Sequence, residues 1–132
     1  MLVLPVKVFI VDDSPQLTEM LSELISDPGY IEMAGFADSA KKAIEEIRLL
    51  NPDVIIVDLQ LKDGNGFDVD KAIRSLPEPQ DRVIIFFTNH ASRELQQHAS
   101  ALGADFFLDK SKDHEIILEI LKKKVLAHQA LS

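Results

Sequence analysis

The chain has 132 residues, 46% of them hydrophobic, with 14 Lys and Arg against 22 Asp and Glu and a formal net charge of −8. That length suits one domain with its own core, and the absence of cysteine excludes disulfides, thiolate metal sites and a cysteine nucleophile. The acidic balance argues against nucleic acid or an anionic membrane as the main partner. No apolar run approaches the roughly 20 residues of a membrane span, no charged-then-apolar leader opens the chain, and a soluble cytoplasmic protein is expected.

Val6 to Val11 is an apolar run broken only by Lys7, and it reads as a first strand ending in Asp12-Asp13. Ser14 and Pro15 then make a helix start, a hydroxyl cap followed by proline at the first helical position. Leu17, Leu21, Leu24 and Ile25 recur at helical spacing until Pro28-Gly29. Ile31 to Ala37 is a weaker second strand, expected near a sheet edge. Ser39 caps a second helix whose inner face is Ala40, Ala43, Ile44, Ile47 and Leu50, and Asn51-Pro52 stops it. Val54 to Val57 is an unbroken β-branched run, which suits a strand buried on both faces of a parallel sheet. Asp58 stands where that run ends.

A loop with Lys62-Asp63-Gly64-Asn65-Gly66 follows, and its glycines read as residues that free the chain to turn. A short helix carries Val69, Ala72 and Ile73, and Pro77-Glu78-Pro79-Gln80 is a loop at the far end of the sheet. Val83 to Phe87 is a fourth strand ending in Thr88-Asn89-His90. Leu95, Ala99 and Leu102 mark a fourth helix running to a capping Gly103. Phe106 to Leu108 is a fifth strand ending in Asp109-Lys110, and a last helix begins near Asp113. Lys122-Lys123-Lys124 reads as the solvated, dipole-complementing face of that helix. Five strands alternating with five helices imply a doubly wound parallel α/β domain, a single unit over residues 1–132 with no output domain following.

Parallel strands end on one edge, and ligands of open α/β sheets bind there. The strand ends supply Asp12 and Asp13, Asp58, Thr88 and Lys110, while the second strand brings nothing obvious. Three carboxylates that close repel one another. A hard cation with oxygen ligands resolves the repulsion, and Mg²⁺ is the choice because it takes one or two carboxylates, waters and phosphate oxygens. A hydroxyl and a lysine facing that site can stabilise a transferring phosphoryl group, and one carboxylate can carry it as an acyl phosphate. The residues by themselves point to Mg²⁺-assisted phosphorylation of an aspartate.

The ordered set Val11-Asp12-Asp13-Ser14, Pro52-Asp53-Val54-Ile55-Ile56-Val57-Asp58-Leu59, Gly66, Thr88 and Gly103-Ala104-Asp105 leading to Lys110 resembles the receiver domain of two-component response regulators over essentially the whole chain. The resemblance implies a flavodoxin-like strand order 2-1-3-4-5 with five helices on both faces. It implies a signalling switch rather than an enzyme, in which Asp58 accepts a phosphoryl group from a phosphohistidine of a sensor kinase or phosphotransfer protein. Asp12, Asp13, Asp58 and the backbone carbonyl of Gln60 would hold Mg²⁺, Lys110 would pair with the phosphoryl oxygens, and Thr88 and Phe107 would move as switch residues. The change would pass through the surface of the fourth helix, fifth strand and last helix to a partner, a second copy or an output domain.

Two positions depart from the family pattern. Lys62 stands near a common proline, and Ser111 follows Lys110 where proline is usual. A pseudo-receiver that is never phosphorylated remains an alternative, as does an aspartyl-nucleophile phosphatase of the haloacid-dehalogenase kind, although that family's Asp-x-Asp on the first strand is replaced here by adjacent Asp12-Asp13. His90, His98, His114 and His128 lack metal-ligand spacing, and His90, two residues past Thr88, is expected to tune access of water to the acyl phosphate. The last helix carries a wide apolar band, Ile116, Ile117, Leu118, Ile120, Leu121, Val125 and Leu126, whose outer part suits a partner surface.

Overall fold

Strands β1 (Val6–Val11), β2 (Ile31–Ala37), β3 (Val54–Val57), β6 (Val83–Thr88) and β7 (Phe106–Asp109) form one parallel sheet in the order β2-β1-β3-β6-β7. Counted among these five alone the order is 2-1-3-4-5, with β2 at an edge as expected. Two further strands, β4 (Gln60–Leu61) and β5 (Gly64–Asn65), pair as a short antiparallel hairpin within the stretch that reads as a loop. The structure, a computed structural model, describes residues 4–77, 81–89 and 91–131.

Successive strand side chains point to opposite faces, so each central strand feeds two cores. Phe9, Val11, Ile55, Val57, Ile84 and Phe86 pack under α2 (Ala40–Leu50), α3 (Gly66–Arg74) and α4 (Arg93–Ala101), against Ala43, Ile47, Val69, Ile73 and Ala99. Val8, Ile10, Val54, Ile56, Ile85 and Phe87 pack under α1 (Pro15–Ile25) and α5 (His114–Leu131), against Leu21, Ile25, Ile117 and Leu121. Every residue of β3 is buried, which is why its sequence does not alternate. Each side chain of that size contributes about 1.5–3 kcal/mol on burial.

Helix starts lie on the edge where the sheet strands end. Ser14 Oγ accepts from Leu17 N at 3.3 Å, Ser39 Oγ from Lys42 N at 3.2 Å and Ser92 Oγ from Leu95 N at 3.1 Å. Asn65 forms a reciprocal capping box with Asp68 at the start of α3. Gly103, at φ +90°, closes α4, as its place in the sequence suggests.

The basic run on α5 does not lie wholly in water. Lys122 and Lys123 are exposed, but Lys124 is 9% exposed and donates to the Asp81 carbonyl at 2.6 Å and to its carboxylate at 3.0 Å. Spacing is the reason: Lys124 stands three residues past buried Leu121, on the core side of the helix, where its aliphatic stem covers apolar surface. Among the described residues no helix is long and apolar enough to cross a membrane.

Candidate functional site

The site is built by backbone hydrogen bonds that run one residue past the strands. Asp12 N donates to Ala37 O at 3.0 Å, Asp58 N to Val11 O at 2.9 Å and Lys110 N to Thr88 O at 3.0 Å. Each of these candidate side chains is therefore the first to leave the ladder, and the pleat cannot slip without breaking these bonds. Asp12 is fixed further by a turn in which its carboxylate accepts from Ser14 N at 2.8 Å.

Asp12, Asp13 and Asp58 each present a carboxylate oxygen, and these oxygens lie within 4.8 Å of one another. Asp12 is 6% and Asp58 7% exposed, whereas Asp13 faces solvent. Lys110 Nζ bridges the buried pair, 2.7 Å from Asp12 Oδ2 and 2.8 Å from Asp58 Oδ2. Burial pulls the Lys110 ammonium down, but hydrogen bonds and charge from Asp12 and Asp58 outweigh it and hold the group above its ordinary value. For Asp12 the balance goes the other way. Burial lifts its carboxyl above the ordinary range, and the bonds from Lys110 and Ser14 offset only part of that lift. One ammonium does not satisfy three carboxylates. An all-oxygen donor set of this charge suits a small hard cation.

The loop after Asp58 is held close. Gly66 N donates to Leu59 O at 2.9 Å, and a Cβ on Gly66 would sit 2.4 Å from the Asp58 carbonyl oxygen. Gly66 is thus required for close approach of α3 to Asp58 rather than for turning. Gln60 opens the hairpin, its N–H 3.4 Å from Asp58 Oδ1. Thr88, fully buried, ends β6 beside the strand that leads to Asp58. Phe107 is half-buried on β7, its ring 6.3 Å from that of Phe86. His90 lies outside the described residues.

Several contacts around the site are not apparent from the sequence. The second strand does contribute: Asp38, just past β2, pairs with Lys62 at 3.1 Å. Asp63 reaches α2, and its two carboxylate oxygens accept from Ala40 N at 2.7 Å and Lys41 N at 3.0 Å. Past Lys110, Asp109 Oδ1 accepts from Ser111 N at 2.8 Å and from Ser111 Oγ at 2.6 Å, which holds the Asp109 carboxyl below its ordinary range. Asp113 in turn accepts from Asp109 N at 2.8 Å, so hydrogen bonds organise the loop where the family pattern has proline.

Comparison with known proteins agrees with this geometry. The sequence model of the response regulator receiver domain matches residues 8–122. The sensory transduction protein LytT of Bacillus cereus is 32% identical over 117 residues, covering 89% of this chain and 46% of its own length. A protein-glutamate methylesterase/protein-glutamine glutaminase of Xanthomonas campestris is 40% identical over 111 residues, covering 82% of this chain and 30% of its own length. The chain thus spans less than half the length of these curated relatives. Among solved structures, the chemotaxis protein CheY4 of Vibrio cholerae superposes with a TM-score of 0.78 at 30% identity, over 91% of this chain and 98% of that one. The chain belongs to the response regulator receiver domain family. It is a phosphorylation-activated signalling domain of the two-component kind, and its acidic pocket fits that chemistry.

Proposed function

We propose that Asp58 is the phosphoryl acceptor and that Asp12 and Asp13, with Asp58 and the Gln60 carbonyl, hold Mg²⁺ during the transfer. The observation that carries this reading is the convergence of three carboxylates within 4.8 Å, two of them bridged by Lys110. In the reaction an Asp58 oxygen attacks phosphorus and forms the O–P bond. The P–N bond of a phosphohistidine on a sensor kinase or phosphotransfer protein breaks, and its electron pair leaves with the imidazole nitrogen. When bound, Mg²⁺ supplies positive charge that offsets the negative charge on the transferring oxygens.

Lys110 exchanges one carboxylate for a phosphoryl oxygen, and the Thr88 hydroxyl donates to another. The aspartyl phosphate adds charge that draws both groups in and biases a pre-existing two-state element, with Phe107 following the vacated space. The change leaves through α4, β7 and α5, where Leu102, Phe106 and Ile116 remain exposed and support an apolar partner or a second copy. On this reading residues 1–132 act as one cytoplasmic receiver, and its chemistry on itself serves signalling rather than turnover.

The test is intact mass after incubation with Mg²⁺ and a small acyl phosphate, beside Asp58→Ala. The expected result is a gain of one phosphoryl group that is lost in the variant and on chelation of Mg²⁺. No gain with any donor, phosphohistidine protein included, would refute the reading and leave a pseudo-receiver.

A further inference from the structure

The hairpin that follows Asp58 is fastened at its tip to the N-terminus of helix α2. Its strands are two residues each, Gln60–Leu61 and Gly64–Asn65, paired Gln60 with Asn65 and Leu61 with Gly64. A hairpin that short has little stability of its own, so its position is set by what holds its two ends. At the base, Gly66 N bonds Leu59 O at 2.9 Å. At the tip, the turn residues are Lys62 and Asp63. The Asp63 carboxylate accepts from Ala40 N at 2.7 Å and Lys41 N at 3.0 Å, the first two residues of α2. The Lys62–Asp38 pair at 3.1 Å is highly exposed on both sides and adds little.

Ser39, the N-cap of α2, accepts only from Lys42 N at 3.2 Å, and the preceding amides of Ala40 and Lys41 are left for Asp63. The two caps are made to different amides, and only the one from Asp63 crosses between elements. Accepting two amide N–H groups also holds the Asp63 carboxyl below its ordinary range, so the cap stays ionised.

We propose that Asp63 is a positioning residue for the metal site: by clamping the hairpin tip to the N-terminus of α2 it fixes the Gln60 main chain over the pocket of Asp12, Asp13 and Asp58. Lys62 and Asp63 are the tip; Gly66, the Asn65–Asp68 capping box and the packing of Leu61 hold the base, so freeing the clamp loosens the hairpin from its tip back toward Gln60. Gln60, the first residue beyond that base, moves with it. The stiffness that the loop would otherwise lack near Lys62 is supplied by a charged cap on a neighbouring helix.

This inference rests on the metal-binding role given above to the acidic pocket, and the experiment separates the two. Mg²⁺ is titrated into the ¹⁵N-labelled wild type, Asp63→Ala and Ser39→Ala, with thermal unfolding of each recorded in chelator. Ser39→Ala removes the other cap of the same helix and serves as the control for stability alone. The expected result is a roughly tenfold weaker Mg²⁺ affinity for Asp63→Ala, at the low end of what outer-shell partners of metal ligands supply. Ser39→Ala should stay within twofold of wild type at a comparable loss of thermal stability. In the phosphorylation assay the Asp63→Ala defect should vanish at saturating Mg²⁺, because the acceptor itself is unaltered. Equal Mg²⁺ affinity in all three proteins, or equal weakening in both variants, overturns the role of Asp63 and leaves the acceptor reading intact. A wild type that binds no Mg²⁺ overturns both.

Discussion

Lys110→Met tests the charge balance of the site most directly. The ammonium is 2.7 Å from Asp12 and 2.8 Å from Asp58, and at an effective dielectric of about 20 each contact is worth about 6 kcal/mol of Coulomb attraction. Most of that is offset by the desolvation that placing these groups under the sheet edge requires. Removing one partner of a buried pair typically costs about 3–5 kcal/mol, because the remaining charge is stranded. The exposed Asp13 side lets water in, so the low end applies. About 3 kcal/mol, or about 10 °C in Tm, is expected in the absence of divalent cations.

The same substitution removes the competitor for the carboxylates, so Mg²⁺ should bind more tightly. At a hundred times its Kd a ligand adds about 2.7 kcal/mol of stability, and at any fixed Mg²⁺ concentration the variant should gain more than wild type. Burial lifts the Asp12 carboxyl and the bond from Lys110 works against that lift, so without Lys110 the folded state binds a proton at Asp12 more strongly and the variant should recover stability as pH falls through the carboxylate range. Urea unfolding in chelator and at several Mg²⁺ concentrations, at pH 7 and pH 4.5, reads all three effects. A variant as stable as wild type in chelator, or one whose Mg²⁺-dependent gain is smaller, refutes the bridging role of Lys110.

Two further predictions follow from the same geometry. Asp12→Asn relieves the burial of a carboxylate and its repulsion from Asp13 and Asp58, whose oxygens lie within 4.8 Å, against the loss of one charged Lys110 contact, and a net gain in stability is expected in chelator at pH 7. Burial holds the folded Asp12 carboxyl above its ordinary value of 3.8; that group therefore subtracts stability at neutral pH, and the variant's advantage in urea unfolding should fade as pH falls toward 3.8. The variant should also lose most of the Mg²⁺-dependent stabilisation; an Asp12→Asn protein less stable than wild type in chelator contradicts the argument. In Gly66→Ala the new methyl would meet the Asp58 carbonyl oxygen at 2.4 Å and the Phe86 ring at 3.1 Å, an overpacking worth about 3 kcal/mol in a thermal melt. Its rate of phosphorylation should fall at temperatures where the fold is intact, and a wild-type rate there would show that α3 does not hold Asp58 in place.

Much of this was legible because the chemistry sits where apolar runs stop. Val54–Val57 could be read as a central strand from its unbroken β-branched sequence, and Asp58 as a member of the acidic cluster from its place at the end of that run. Hydroxyl caps gave the starts of α1 and α2 for the same local reason. Periodicity was less informative about extent. Leu24 and Leu50 keep helical spacing but are 42% and 39% exposed, since spacing identifies the side that faces the body and not how far the body reaches. Lys124 was misread because a run of three lysines looks uniformly solvated, while a helix turns each of them to a different side. The Asp63 clamp was illegible for another reason: it joins residues 22 and 23 positions apart through backbone amides, and any sequence supplies amides. Gly66 was visible as a glycine, but its cause, a carbonyl approaching from Asp58, belongs to tertiary structure.

The site's excess of negative charge bears on the order of events. Three carboxylates and one ammonium leave a net charge of −2 at the edge of the sheet. An aspartyl phosphate carries about −1.5 to −2 in place of one carboxylate charge, so transfer without a cation makes an unfavourable site worse. Lys110 cannot repair this by itself, because an ammonium that turns to the phosphoryl group leaves Asp12, already disfavoured by burial, without its bridge. The pocket therefore has to gain positive charge before it gains phosphate. On the proposed roles of Gln60 and, through it, Asp63 in setting the geometry of the cation, those residues govern the first step and not the last.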